Sequence, residues 1–576
     1  MMMSRIVVLM MMALALVRCN DSESFKPEPD PVFFNASAFV EVKDVQGNAI
    51  EGVKITLGDV EGYTNADGVL YLKKVEMNPS TYLVADKSGY FHGSRRFYPS
   101  AGQTSVVRIV LMPQLLAGSI QADAGGVVEV SDDIHLDFPA GAVVDLDGQE
   151  YHGTVAVYAQ PIRADDPDLS YKMPGDLVGV TAAGEQNAMA SFGMVVTELR
   201  SSNGALLQVK SGSTVAMSIG LPSSLATTAP STIPMWYFDE ALGLWQEEGK
   251  ATLTGNTYVA QVAHFSYWNC DANFELVKWG ATFVYEDGST ASQVEVCLTI
   301  LDLNLTRCAY TNEEGFICGM VAAGEAMLME VKSPCGDVIY SQQIGPYSDT
   351  TMIGPINIPT TNVSFTALSG IAVDCAGNPV TNGYARIKVG EQVYYAALDE
   401  NTGGFSISLM NCAESPSIVK VVDEGAFKES LQLTFAYAPV VDAGTITVCE
   451  TITEFVDLEV VGFPDHYTFL FPYTNIDGPN TILYAQDSSS QAKFFYIRVP
   501  GLIAGTYTPD GAEVGVQLPN GDRAFASASD LSVTITYYGP VGDYILGTIT
   551  GTWHTGPSGQ GGLDYPLSGT FSVLRE

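Results

Sequence analysis

The sequence predicts an all-β protein built from tandem antiparallel β-sandwich domains. Helical periodicity is almost absent, and short runs rich in Val, Ile, Thr, Tyr and Phe, such as TVAVYAQPI and LSVTITYYG, recur along the chain. Clusters of Gly, Asn, Asp and Pro separate these runs, as expected for short strands joined by turns. At 576 residues the chain is too long for one core, and its length suggests about four domains of roughly 150 residues.

The charge balance excludes one large class of partners. The chain has 27 Lys and Arg residues against 65 Asp and Glu residues, which gives a net charge of −38. Such a surface repels nucleic acid and anionic lipid head groups, and the sequence has no basic run to offset the repulsion. We therefore expect no nucleic-acid partner.

Residues 1–18 are predicted to be a signal peptide. Arg5 precedes an uncharged apolar run, residues 6–17, which is too short to span a bilayer as a helix. The following Cys19 completes a Leu-x-x-Cys pattern that resembles the lipobox of bacterial lipoproteins, although Arg18 replaces the small residue usual in that family. The resemblance implies that Cys19 is acylated and anchors the chain to an outer membrane. The alternative is an ordinary signal peptide with an incidental cysteine.

Residues 19–33 are predicted to be a flexible tether. The segment NDSESFKPEPDP is polar and rich in proline, as is typical of linkers. Its acidic residues just after the cysteine resemble the export signal of surface-exposed lipoproteins of the Bacteroidota. The resemblance implies that the protein faces the cell exterior.

Three copies of one module are predicted, over residues 34–113, 272–361 and 362–450. Each copy contains a strand, a glycine turn and a second strand, followed by a polar loop: YTNADG, YTNEEG or LDENTGG. The spacing from the turn glycine to the loop glycine is similar in all three, which makes the pattern much more specific than either motif alone.

The repeated pattern resembles the carboxypeptidase regulatory-like family, a transthyretin-like β-sandwich. The resemblance implies an accessory or stalk fold without the chemistry of the enzyme that gives the family its name. It is clearest in the first and third copies and weakest in the first half of the second. The matching residues are Asp44, Gly47, Ile50, Gly52, Val53, Thr64, Asn65, Gly68 and Leu70; Asp287, Gly288, Thr311, Asn312, Gly315 and Phe316; and Asp374, Gly377, Pro379, Val380, Gly383, Ala385, Asp399, Gly403 or Gly404, and Phe405.

The repeated loop is interpreted as a turn rather than a metal or catalytic site. The position before the loop glycine carries Asp67, Glu314 and Gly403, whereas the glycine itself is kept as Gly68, Gly315 and Gly404. A ligating or catalytic acid would not be expected to vary so freely, and a turn needs only the glycine and a nearby Asn or Asp.

Two further β-rich regions complete the predicted organisation. Residues 114–271 contain FPAGAV, the hairpin WYFDEALGLWQEEG and HFSYWN, and resemble an extracellular domain of the FAM171- and ZU5-like families. That resemblance implies no single activity. Residues 451–576 form a C-terminal β-rich domain that resembles no family.

Eight cysteines follow Cys19 and are candidates for up to four disulfides, whose pairing spacing alone leaves open. Zinc is a weak rival, because no Cys-x-x-Cys motif occurs and His264 is the only histidine near the group. The eight are Cys270, Cys297, Cys308, Cys318, Cys335, Cys375, Cys412 and Cys449.

No cofactor or metal is predicted. Asp165, Asp166 and Asp168 could in principle hold Ca²⁺, but the run lacks an EF-hand glycine and Pro167 favours a solvated turn. Asp145 and Asp147 are interpreted as a hairpin turn by the same reasoning.

The chain is predicted not to be an enzyme. It has no Gly-x-Ser-x-Gly or His-Glu-x-x-His motif, no phosphate-binding loop, and six scattered histidines. The alternative of an extracellular hydrolase requires a buried pair of perturbed acids, or a histidine pair, in a cleft.

The predicted function is binding, adhesion or scaffolding at the cell surface, with glycans or other surface proteins as partners. A polysaccharide-binding accessory is the alternative, since exposed aromatic rings stack on sugars. Tyr467, Tyr473 and Trp553 are the candidate platform, with sandwich packing as the competing interpretation. The tryptophans of the middle region are assigned to its core: Trp236, Trp245 and Trp268.

Overall fold

The computed structural model shows an all-β chain, as predicted. The structure describes residues 33–333, 336–359, 364–411, 414–426 and 428–451, and separate strands and one short turn between 455 and 574. The described chain divides into two compact units. One comprises Met1–Ala372, Tyr384–Lys420 and Gln432–Ile446, and the other comprises Val373–Gly383, Val421–Leu431 and Thr447–Glu576.

The first repeat is a sandwich of seven strands. Phe34–Asp44 lies in the middle of a three-stranded sheet, antiparallel to Val69–Met77 and parallel to Thr104–Leu111. The facing sheet has four strands, in the order Val60–Tyr63, Lys54–Leu57, Thr81–Asp86 and Gly93–Phe97. Apolar side chains from both sheets, such as those of Val40, Ile55 and Leu83, form one buried core.

The second repeat has the same strand order. Tyr267–Tyr285 lies between antiparallel Phe316–Ala322 and parallel Thr351–Ile358. The facing sheet has the order Leu305–Tyr310, Glu295–Ile300, Met327–Lys332 and Val338–Ile344. The first and second repeats thus share one strand order. The parallel pair departs from a purely antiparallel sandwich, because a chain of seven strands that reverses at each turn brings its first and last strands together in the same direction.

The middle region forms one large sheet system around its own core. We call Tyr267–Tyr285 the shared strand, because it pairs with Gln186–Arg200 and Thr232–Asp239 and then continues as the first strand of the second repeat. It runs through the predicted boundary between residues 271 and 272. The other elements are the strands Leu116–Gln121, Gly126–Ser131, Ile134–Phe138, Val143–Asp145, Thr154–Ile162, Val178–Val180, Leu206–Val209, Val215–Gly220, Leu244–Thr254 and Thr257–Val262, the helix Leu169–Lys172 and the 3₁₀ turn Ser223–Leu225.

The third repeat contributes strands to both units. In the first unit, Ser364–Val373 pairs with Gly404–Asn411, and residues 384–389 pair with Gln392–Ala397. Also in that unit, residues 417–419 pair with Leu433–Phe435. In the second unit, residues 422–423 pair with Lys428–Ser430, which pairs in turn with the end of Val440–Thr451.

The C-terminal region of the second unit is β-rich, as predicted, with two antiparallel sheets. The six-stranded sheet has the order His466–Leu470, Phe455–Val460, Asp564–Leu574, Tyr544–His554, Ser532–Tyr538 and Gly505–Tyr507. The five-stranded sheet has the order Tyr473–Asp477, Asn480–Gln486, Phe494–Pro500, Glu513–Gln517 and Arg523–Ala526. In the described part of the chain, no helix is long and apolar enough to cross a membrane.

Candidate ligand-binding site

A partly enclosed cavity of about 260 Å³ lies where the first repeat, the middle region and the second repeat meet. Its walls come from Gly93–Phe97 and Thr104–Leu111, from the helix Leu169–Lys172, and from Glu295–Ile300 and Leu305–Tyr310. One water needs only about 10–15 Å³ on this measure, so the space can hold a small organic molecule. We call this space the arginine cavity, after the residues that follow.

Four arginines line the cavity: Arg95, Arg96, Arg108 and Arg307. The whole chain has only 12 arginines and a net charge of −38, so this grouping differs from the rest of the molecule. Three separate strands supply the four side chains, and no local sequence pattern links them. The rest of the lining is mainly apolar, with side chains such as Val107 and Leu177.

Two of these arginines have close partners. The Nε atom of Arg108 lies 2.9 Å from Oε2 of Glu41, and its guanidinium stacks 3.8 Å from the ring centre of Tyr310. Arg96 donates to the carbonyl oxygens of Ser80, Leu242 and Gly243 at 2.9–3.1 Å. Glu41 thus compensates the charge of Arg108, and three backbone carbonyls accept from Arg96, although the Nε–H of Arg108 forms no hydrogen bond.

The other two arginines have no carboxylate at contact distance, although Asp176 acts on Arg95 and Asp271 acts on Arg307 from farther away. Among the described residues, no carboxylate oxygen lies within 4.0 Å of the guanidinium nitrogens of Arg95 or Arg307. Arg95 donates to the carbonyl of Ser170, and Nη1 of Arg307 donates to the carbonyl of Thr306 at 2.7 Å. The Nε–H of Arg307 is inaccessible to solvent and has no hydrogen-bond partner. Burial lowers the pKa of Arg307 to about 10, with the like charge of Arg95 adding to the effect.

Two more polar groups of the lining are incompletely paired. The indole N–H of Trp279, a side chain only 2% exposed, has no hydrogen-bond partner. Asp176 accepts a hydrogen bond of 2.7 Å from the Tyr98 hydroxyl through Oδ2, while its Oδ1 has none. Burial raises the pKa of Asp176, although Arg96 opposes the shift. The cavity thus offers unused donors, most of them cationic, beside one carboxyl group.

Asp271 lies near Arg307 but does not neutralise it. This side chain on the shared strand is fully buried, and neither carboxylate oxygen has a hydrogen-bond partner. Burial raises its pKa well above the ordinary value, and Arg307 offsets only part of that shift. No oxygen of Asp271 lies within 4.0 Å of the Arg307 guanidinium nitrogens, so Asp271 acts on Arg307 only from beyond contact distance.

The repeated loops are turns, as the sequence indicated. Asn65 Oδ1 accepts the backbone N–H groups of Asp67 and Val69 at 3.0 and 3.2 Å. Asn312 Oδ1 does the same for Glu314 and Phe316 at 3.0 and 2.9 Å. The side-chain oxygen thus holds the loop in shape without the acid one residue before the glycine.

The loop glycine of the third copy was assigned to the wrong residue. Gly68 and Gly315 both have φ of +72°, and the third-copy residue in this conformation is Gly403, with φ of +67°. The backbone pairing agrees, since Ala372 N–H donates to the Gly403 carbonyl as Val42 N–H does to that of Gly68. A Cβ on Gly68 would lie 2.5 Å from the Val42 carbonyl oxygen, so this turn requires glycine.

The loops also join the repeats, a role that the sequence interpretation missed. Asp67 of the first copy forms ion pairs with Lys420 and Arg386 of the third. Glu400 of the third copy forms ion pairs with Lys73 and Lys74 of the first.

The second loop docks on the first copy. Glu314 accepts a hydrogen bond from Gln103 at 2.8 Å, and Glu313 accepts one from the Thr104 backbone at 3.1 Å. Asp67 and Glu314 occupy the same loop position, and their difference argued against a shared catalytic role. They therefore make different docking contacts.

The cysteine prediction is confirmed in part. Cys297 pairs with Cys308, and Cys375 pairs with Cys449. Cys270 was a candidate for a disulfide but is a buried thiol 3.2 Å from the sulfur of Met235, because the described residues of this core include no second cysteine. Cys318 lies half-buried, 3.9 Å from the carbonyl of Tyr98.

Among the described residues, one group of side chains has the spacing of a metal site, but its chemistry does not suit a metal ion. Glu295, Cys297 and Cys308 lie close enough to share one. Their two sulfurs are joined in a disulfide, so neither is the thiolate that a metal would need.

The acidic runs and the middle tryptophans have structural roles, as predicted. Lys172 pairs with Asp166 at 2.8 Å, and Arg163 pairs with Asp165 at 3.1 Å. Asp145 Oδ1 caps its own turn by accepting the backbone N–H of Asp147 at 3.0 Å. The three tryptophans are fully buried: Trp236, Trp245 and Trp268.

Several predicted site residues lie outside what the structure describes. Cys19, Cys335 and Cys412 are outside the described residues. Three others lie on described strands, but their side chains are outside the description: Tyr467, Tyr473 and Trp553. The lipid site and the aromatic platform remain predictions.

No family model matches the chain, and no curated protein matches it. Among solved structures, the chain is similar to the shaft pilin SpaA of Lactobacillus rhamnosus GG, with TM-score 0.17 and 7% identity over 31% of this chain and 98% of that one. It is also similar to the Bacillus anthracis TIE protein, with TM-score 0.14 and 11% identity over 80% and 72%. The major pilin subunit BcpA of Bacillus cereus has TM-score 0.12 and 9% identity over 72% and 100%. At such TM-scores the likenesses carry no inference about this chain.

Proposed function

We propose that this chain is a non-enzymatic extracellular protein that serves as a scaffold for binding or adhesion at the cell surface. A lipid on Cys19 would hold it in an outer membrane, with glycans or other surface proteins as its partners. The observation that carries the proposal is the docking of the three repeats on one another within the first unit.

The docking is extensive and partly buried. Phe39 of the first repeat stacks on Tyr395 of the third with ring centres 5.0 Å apart, and Asn65 donates to the Tyr384 hydroxyl at 2.8 Å. Gln293 of the second repeat accepts the Tyr395 N–H at 3.1 Å. Because these contacts restrain the repeats, a binding surface built on them loses little conformational entropy when a partner docks, as adhesion requires.

Two disulfides support an extracellular location, since such bonds persist in oxidising compartments and are rare in the cytosol. The predicted signal peptide and lipobox point the same way.

The hydrolase alternative has less support. It requires two perturbed acids, or two histidines, in one cleft. Of the two fully buried aspartates whose pKa is raised by burial, Asp176 lines the arginine cavity and Asp271 does not. No histidine lines that cavity. A polysaccharide-binding role still depends on the aromatic platform predicted from the sequence.

The proposal is tested on cells that produce the full chain and its Cys19→Ala variant. We expect the unaltered chain in the outer-membrane fraction and open to protease added to intact cells, whereas Cys19→Ala should appear in the soluble fraction. Cells with the chain should adhere to immobilised matrix proteins or polysaccharides better than cells without it. Resistance to protease until lysis would contradict surface exposure, and equal adhesion with and without the chain would contradict the scaffold role.

A further inference from the structure

We infer that the arginine cavity binds a small organic carboxylate that carries an apolar body. The inference goes beyond the scaffold role and does not depend on it. It rests on two guanidinium groups with no carboxylate within 4.0 Å, an unpaired indole N–H and mainly apolar walls, all of which line the same space.

The two unpaired arginines indicate an anion. A buried charge is costly unless it is paired, and structural arginines in protein interiors therefore lie beside carboxylates. Arg108 follows this rule through its contact with Glu41. Arg95 and Arg307 line the same cavity without any carboxylate at contact distance among the described residues. An anion in the cavity would supply the missing partner.

Because the chain is strongly acidic, a group of arginines without carboxylate partners is a stronger indication of an anion-binding site. A net charge of −38 means that a cation on almost any surface lies close to some acid. Asp271 acts on Arg307 electrostatically, but none of its oxygens lies within 4.0 Å of the guanidinium nitrogens. The fold thus keeps a positive site within a negative molecule, and such a site attracts small anions rather than large negative polymers.

The remaining lining selects a carboxylate over an inorganic anion. A guanidinium presents two parallel N–H donors that match the two oxygens of a carboxylate. The walls are mainly apolar, with Val107, Leu177 and Trp279 among them, so they favour a ligand with a hydrocarbon part. The volume of about 260 Å³ limits that part to a short chain or a single ring.

The test uses the purified full-length chain without its signal peptide, at low salt, with calorimetry and thermal shift as readouts. The probes are benzoate and hexanoate, with benzamide as the neutral isostere of benzoate and inorganic phosphate as a second anion. We expect at least one of the two carboxylates to bind and raise the melting temperature. Benzamide and phosphate should bind at least tenfold more weakly than that carboxylate.

Substitutions then locate the site. Arg307→Met should weaken carboxylate binding at least tenfold, and Arg307→Lys should retain part of it because the charge stays while the planar fork is lost. Arg163→Met is the matched control, since Arg163 is an exposed arginine outside the cavity, and binding should be unchanged. Circular dichroism on each variant checks that the fold is retained.

Four results would overturn the inference: no binding of either carboxylate, equal binding of benzamide, phosphate binding as tight as that of the carboxylates, or unchanged binding by a folded Arg307→Met variant. Each result separates a carboxylate site from an empty apolar space, a general anion site or a site elsewhere on the chain.

Discussion

Arg108 and Arg307 line the same cavity in chemically different situations. Arg108 has the Glu41 carboxylate at 2.9 Å and the Tyr310 ring at 3.8 Å, whereas Arg307 has one backbone carbonyl and no carboxylate within 4.0 Å among the described residues. A buried ion pair whose members satisfy each other contributes to the structure, and breaking it leaves an isolated charge. A buried cation without a partner contributes little to folding and suggests a role in binding. Substitutions can measure that difference directly.

The largest loss of stability is expected from Glu41→Gln. Glu41 is 2% exposed and contacts Arg108, Lys43 and the Tyr395 hydroxyl. Removing its charge leaves Arg108 buried without a counter-ion, so we expect the free energy of unfolding to fall by about 3–5 kcal/mol. Urea denaturation followed by tryptophan fluorescence measures the change. Glu76→Gln, the same substitution on an exposed side chain, should alter stability by less than about 0.5 kcal/mol.

The contribution of Glu41 should also depend on pH. Burial by itself raises the pKa of Glu41, but Arg108 and Lys43 outweigh it and hold the pKa below the ordinary 4.5. A carboxyl group with a lowered folded-state pKa stabilises the fold fully above its ordinary pKa, and the contribution is lost as the pH falls through the folded value. The stability difference between the unaltered chain and Glu41→Gln should thus stay constant down to about pH 4.5 and shrink below it. A difference that grows on acidification would refute the assignment.

An intermediate loss of stability is expected from Asp67→Asn. Asp67 is 19% exposed and pairs with both Lys420 and Arg386 across the boundary between the first and third repeats. Its partial exposure places the cost between those of surface and buried pairs, at about 1–2 kcal/mol in urea denaturation. Asp59→Asn, in an exposed turn of the same repeat, is the control. Equal stability of the two variants would show that the loop pairs do not hold the repeats together.

The all-β fold class could be predicted because its signals are local, whereas the shared strand across the predicted boundary could not. Alternating apolar residues and turn glycines mark each strand, so two copies with one strand order could be recognised at matched spacing. The choice between Gly403 and Gly404 failed because both are glycines and only the backbone φ separates them. The docking of the loops could not be predicted from the sequence either, because Asp67 and Lys420 are far apart in the chain and no local pattern links them.

The cavity could not be predicted for the same reason. Arg95, Arg108 and Arg307 lie on three strands from two repeats, and each looks ordinary in its own segment. Their scarcity was the one available signal, because 12 arginines in a chain of this charge invite the question of where each finds a partner. That question requires distances between residues remote in sequence.

The smallest change in stability, and the sharpest contrast, is expected from Arg307→Met measured without ligand. Methionine fills similar space and removes a buried cation that has no carboxylate within 4.0 Å, so the free energy of unfolding should stay the same or rise by up to about 1 kcal/mol. Arg108→Met is the matched control, because it makes the same substitution in the same cavity. It leaves the Glu41 carboxylate buried without the Arg108 cation, so the free energy of unfolding should fall by about 3–5 kcal/mol. If urea denaturation shows equal losses for the two variants, Arg307 is a structural residue like Arg108. If only Arg108→Met is destabilised, the fold does not need the Arg307 cation, and a ligand is the remaining reason to bury it.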